Sequence, residues 1–149
     1  LGGPSIMADS DFDGLPALDG AVTAVAIIDH DGNPNRVIDD QLPFDVTIKW
    51  TVKPPATAAL LDGRWTVKVY AESMGPGPEV LIGTAVVAAN GGPVYNASIN
   101  VPIGTLPSDV PPDSGVYKLV VVITYRTRLN VLTEMAAFSE GPMFLLRRP

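Results

Sequence analysis

The chain contains one histidine, His30, and it stands between Asp29 and Asp31. An imidazole beside carboxylates is the usual material of a general base or a metal ligand. No second histidine and no cysteine exist to complete a metal site around it. No serine stands in a G-x-S-x-G setting that would present it as a nucleophile. The run Asp29-His30-Asp31-Gly32-Asn33-Pro34 has the composition of a tight turn, and His30 is expected there as a solvated residue. Asp9, Asp11, Asp13 and Gly14 match the opening of a calcium loop, in which alternate oxygens suit a hard cation. The match then fails, because Gly20 occupies the position of the closing glutamate and Pro16 interrupts the loop. Asp29, Asp31 and Asn33 form a shorter fragment of the same kind, which a turn explains as well. Asp39-Asp40, before Pro43, reads as a solvated loop. No catalytic residue, metal or cofactor is therefore expected, and the chain reads as a non-enzyme.

Aromatic residues are the other candidates for chemistry, as stacking platforms for sugars. Trp50 and Trp65 fall on the apolar side of alternating segments, so core packing is the better account of both. Tyr70 and Tyr125 are better placed for a glycan. Asn96-Ala97-Ser98 is a glycosylation sequon that matters only in a glycosylating host.

The elements that position these residues are strands. Fifteen prolines and fourteen glycines are spread through 149 residues, leaving little room for an amphipathic helix beyond a turn at 57–61. Seven strand-like segments follow one another, at 21–29, 44–53, 65–72, 79–88, 95–101, 116–126 and 134–146. Alternation is clearest at 44–53. Phe44, Val46, Ile48, Trp50 and Val52 share one face; Asp45, Thr47, Lys49, Thr51 and Lys53 share the other. Gly141-Pro142 breaks the last segment and is expected to make a bulge or an edge kink. The reading is an all-β fold: one antiparallel β-sandwich of about seven strands, without a disulfide because there is no cysteine.

Two stretches resemble immunoglobulin-like and fibronectin type III sandwiches. Asp113-Ser114-Gly115-Val116-Tyr117-Lys118-Leu119 resembles the D-x-G-x-Y-x-C signature that opens strand F, with Leu119 in place of the cysteine. The resemblance implies that Tyr117 is a tyrosine corner, its hydroxyl bonded back to the connection containing Leu106-Pro107. Phe44 to Trp50, then Pro54-Pro55, then Trp65 to Tyr70 is similar to strand B, a proline-rich loop and strand C of a fibronectin III domain. The turn beginning at Ile28-Asp29 is similar to that of bacterial Ig-like repeats. Fold likeness of this kind implies no function by itself.

Net charge is −6 and unevenly spread. Residues 1–45 hold nine aspartates against one arginine; the remainder holds nine basic and seven acidic residues. An acidic chain with scattered cations is a poor partner for nucleic acid. No apolar run approaches the roughly 18–20 residues of a membrane helix, and no basic-then-apolar leader pattern opens the chain.

Residues 1–20 read as an acidic Gly/Pro-rich arm preceding the sandwich at 21–149. Phe12, Leu15 and Leu18 are spaced along the arm to anchor on an apolar surface. Val120 and Val122 fall on the face of their strand where polar residues are expected, and they offer such a surface. Arg126 and Arg128 are cations that the arm's aspartates could meet on an adjacent copy. These seven are the candidate interaction residues. The expected role is a non-catalytic structural or protein-interaction subunit, adhesion-like, assembling with itself or a larger complex. A carbohydrate-binding module is the alternative, and a small hydrolase the least favoured. A protein partner or homo-oligomer is expected, a glycan is possible, and membrane insertion is not expected. Cell surface, extracellular space or virion is favoured over cytoplasm.

Overall fold

The computed structural model describes residues 12–13, 19–77 and 79–149. These form β1 (Phe12–Asp13), β2 (Asp19–Ile28), β3 (Val37–Asp39), β4 (Phe44–Lys53), α1 (Pro55–Ala58), β5 (Arg64–Ser73), β6 (Glu79–Ala88), β7 (Val94–Val101), β8 (Val116–Arg126) and β9 (Leu132–Arg147). The chain is all-β, in two sheets. Sheet A has the order β2-β4-β7; sheet B has the order β1-β9-β8-β5-β6, with β3 also paired to β9.

The strand alternation sets the core. Val46, Ile48, Trp50 and Val52 of β4 face Trp65, Val67, Val69 and Ala71 of β5 and Leu119, Val121 and Ile123 of β8 in one buried cluster. At one end of it Trp50 meets Trp65 edge to face at 6.2 Å, and Tyr95 stacks on Trp50 at 5.8 Å. Tyr125 closes on Trp65 at 5.0 Å. Edge-to-face and offset contacts suit the ring quadrupoles and add to the apolar area removed from water. The sheets approach closely where β6 carries Gly83. A Cβ built there would come within 2.2 Å of Ile99 Cγ2 on β7.

Several expectations need correction. Among the described residues there are nine strands rather than seven, and the pairing is not wholly antiparallel, because β3 runs parallel to residues 145–147 of β9. Three residues are too few to show a period of two; β3 exists because β9 offers it a free edge. Asp39-Asp40 is not a solvated loop. Asp39 ends β3, and the Asp40 side chain is only 8% exposed, 3.1 Å from Arg148 Nε. The amide of Gln41 holds the Asp40 carboxyl below the usual aspartate range, helped by Ser108 and Arg148. The helical turn starts two residues earlier than expected, because Pro55 is pre-set for the first helical position. The bulge at Gly141-Pro142 is present: Lys118 faces Met143 and Val120 faces Glu140, so two residues of β9 oppose Leu119 alone.

Candidate ligand-binding face

The outward residues of sheet A form rows in register across its three strands, with polar side chains on β4 and β7 and small or apolar ones on β2. Register places Ala26, Thr47 and Ser98 in one row, and Ala24, Lys49 and Asn96 in the next. Ile28, Asp45 and Asn100 make the row beyond. Strand alternation turns all of these away from the core, because Val46, Ile48, Tyr95 and Ile99 between them are buried. Small side chains from β2 and β7 leave a shallow depression of about 530 Å³, lined by Ala24, Thr47, Ile48, Lys49, Asn96, Ala97 and Ser98.

Local features fix its shape. A register shift between Val22 and Ala24 bulges β2 at Thr23, whose hydroxyl donates to the Lys49 carbonyl at 3.3 Å. At the far row, Asn100 Nδ2 donates to Asp45 Oδ1 at 2.9 Å. The depression offers two hydroxyls, a carboxamide and an ammonium on a rigid sheet. Hydroxyl and carboxamide groups donate and accept together, as sugar hydroxyls do. No imidazole or carboxylate lines the depression to activate Ser98.

The residues considered for catalysis and metal are accounted for locally. His30 is exposed in the turn after β2. Asp29 Oδ1 accepts from the backbone N–H of Asp31 at 3.0 Å and of Asn33 at 2.9 Å, and its Oδ2 accepts from Asn35. Those bonds, Asn33 first, hold its carboxyl below the usual range. Asp29 is therefore a turn organiser. Among the described residues no group of His, Asp and Glu could hold a metal ion. Asp9, Asp11 and Gly14 lie outside the described residues.

Of the candidate sugar platforms, Trp50 and Trp65 are fully buried and belong to the core. Tyr125 is also buried, and its hydroxyl accepts from the Gly63 N–H at 2.7 Å; it is not a platform. Tyr70 is half-buried on the outer face of sheet B, in register with Val120 and Leu81.

The candidate interaction residues fall in different places. Phe12 is in β1, paired with Ala137 on the edge of β9. Leu15 and Leu18 lie outside the described residues. Val120, Val122 and Arg126 share the outer face of sheet B, where Val120 is buried by its neighbours. Arg128 stands in the turn beyond β8 and is 3.7 Å from Asp62. The sequence reading named Thr47 and Lys49 as outward and Asn96 as part of a sequon. It did not join them, since the register that does so is visible only in the sheet.

The chain matches no protein-family model and no curated protein sequence. Among solved structures it is similar to the C-terminal domain of Wzt, with a TM-score of 0.62 and 11% identity over 93% of this chain and 78% of that one. A likeness at that identity concerns the fold alone. Among the described residues, no helix is long and apolar enough to cross a membrane.

Proposed function

We propose that the chain is a non-catalytic recognition module that binds a neutral, polyhydroxylated ligand, a glycan chain, across the outer face of sheet A. The observation that carries this is the depression bearing Thr47, Lys49, Asn96 and Ser98 on a rigid sheet. Mixed donors and acceptors without a nucleophile–base pair suit holding hydroxyls rather than cleaving bonds. The non-catalytic reading is supported by the exposed position of His30 and by the use of Asp29 to organise its turn. For the fold we favour an immunoglobulin/fibronectin III-like sandwich, on the strength of the hydrogen bond from Tyr117 to Pro107 at 2.7 Å. A glycan ligand is consistent with the cell surface, the extracellular space or a virion as its place of work.

The test is a glycan array, followed by calorimetry with the retained sugar on the wild type, Asn96→Ala and Ser98→Ala. The expected result is at least about a tenfold loss of affinity in each variant, the worth of one or two hydrogen bonds, with an unchanged melting temperature. Wild-type protein that retains no glycan, or variants that bind as well as it does, would overturn the proposal. The structural or interaction role is the second reading, and the outer face of sheet B supports it.

A further inference from the structure

Strand β6 pairs with β5 on one flank, and no described strand pairs with its other flank. From Val80 to Ala88 it carries no charged residue and no proline. An open edge of that length is ordinarily guarded by a lysine, a proline or a covering segment. Its exposed side chains include Leu81 at 46% and Val86 at 60%. Val80, Ala85 and Val87, which alternation turns inward, are only half-buried.

An open backbone edge is completed by an added strand, and the pattern of β6 matches its own. Glu79 and Leu81 are exposed before its bulge; Thr84, Val86 and Ala88 are exposed after it. The bulge inserts Ile82 between the pairs Leu81–Tyr70 and Gly83–Val69. With Ile82 and Gly83 counted as one place, the outward and inward positions are symmetric about Thr84. A second β6 laid antiparallel over the whole strand sets Thr84 opposite Thr84, Leu81 opposite Val86 and Glu79 opposite Ala88. Outward side chains then stand beside outward ones.

Charge agrees with this register. Ala88 stands beside Arg64 of β5, and Arg64 beside Arg126 of β8. Glu79 stands beside Glu72, whose other neighbour is Lys118. Lys118 is bonded to Glu140 at 3.0 Å. Among the described residues neither Glu79 nor Arg64 has an ion pair, and Arg64 bonds the neutral side chain of Asn130. In the paired edge Glu79 of one copy meets the small Ala88 of the other, with Arg64 one strand beyond. Their backbones are two strand spacings apart, about 9.6 Å, within the joint reach of the two side chains. The contact occurs twice, once at each end of the seam. Lys68, beside Thr84, is kept from its counterpart by the two threonines, at three spacings or roughly 14 Å. That exceeds the screening length at physiological salt. A register centred on Val86 pairs only Thr84 to Ala88, and it turns Lys68 of one copy toward Arg64 of the other.

We infer that β6 pairs edge to edge with β6 of a second copy, antiparallel about a twofold axis at Thr84. The two B sheets become one continuous sheet. Each copy uses this edge once, so the assembly closes as a dimer. The axis is normal to the sheet, which leaves both sheet A outer faces on the same side of the dimer. The inference does not rest on the glycan reading, and its test contains no sugar.

Light scattering after size exclusion, over a wide range of protein concentration, reads the assembly state, and the wild type should be a dimer. Val86→Lys puts a charge at an exposed position of the edge. It should raise the dimer dissociation constant at least tenfold and leave the circular dichroism spectrum unchanged. Crosslinking reads the register, since the chain has no cysteine of its own. Opposed residues of an antiparallel pair lie about 4.5–5.5 Å apart at Cα, within disulfide range. Thr84→Cys should oxidise to a covalent dimer. Val86→Cys alone should not, but mixed with Leu81→Cys it should. A wild type that stays monomeric near its solubility limit overturns the inference. So does Val86→Lys protein that dimerises as the wild type does, or Thr84→Cys protein that crosslinks no faster than Val86→Cys.

Discussion

The hydroxyl of Tyr117 donates a 2.7 Å hydrogen bond to the carbonyl oxygen of Pro107, tying the start of β8 to the loop that delivers it. The ring is buried against Phe144 at 5.7 Å, so the bond sits at the end of an apolar contact and is shielded from water. Tyr117→Phe keeps the ring and leaves the carbonyl unpaired. It should cost about 1–2 kcal/mol in denaturant unfolding. Burial, with Asp113 nearby, raises the phenol's pKa. Its contribution is therefore complete below the usual tyrosine value and is lost as pH rises through the raised one. Tyr117→Phe should remove that alkaline component.

Trp50→Ala should destabilise by roughly 3–5 kcal/mol, because the indole is fully buried against Trp65 and Tyr95. A residue that served only as a sugar platform would leave stability nearly intact. Chemical denaturation of this one variant separates the two roles.

Gly83→Ala tests the close approach between the sheets at β6 and β7. The new methyl would collide with Ile99 Cγ2, and overpacking of this kind costs about 1–3 kcal/mol. Combining it with Ile99→Ala removes the obstructing group. The double variant should be more stable than the sum of the single losses, with a coupling of about 0.5–3 kcal/mol.

Acid titration of stability should involve Asp29 and Asp40, both of which have carboxyls held below the usual aspartate value. A group depressed in the folded state stabilises it above its unfolded pKa. That stabilisation disappears as pH falls through the folded value. Asp29→Asn and Asp40→Asn should each flatten the acid limb of a stability-versus-pH curve and leave its neutral-to-alkaline shape unchanged. An acid limb as steep as that of the wild type would remove these two groups from the account.

The core was legible because β4, β5 and β8 repeat apolar residues with a period of two over ten or more residues, long enough for burial to impose one register. Tyr117 was legible because its neighbours Asp113 and Gly115 form a local motif. β3 was not, since three residues carry no period and their pairing depends on a strand more than a hundred positions later. The depression on sheet A escaped notice for a different reason. Thr47, Lys49, Asn96 and Ser98 look like any solvated side of an antiparallel strand until register joins them.

Strand β9 accepts β1 near its beginning and β3 near its end, and both partners precede residue 40. During synthesis those early segments have no place in sheet B until β9 has left the ribosome. Until then β8 presents a bare edge to its surroundings, open to pairing with a neighbouring nascent chain. Completion of sheet B therefore waits on β9, and this sixteen-residue strand governs when the β8 edge stops being sticky.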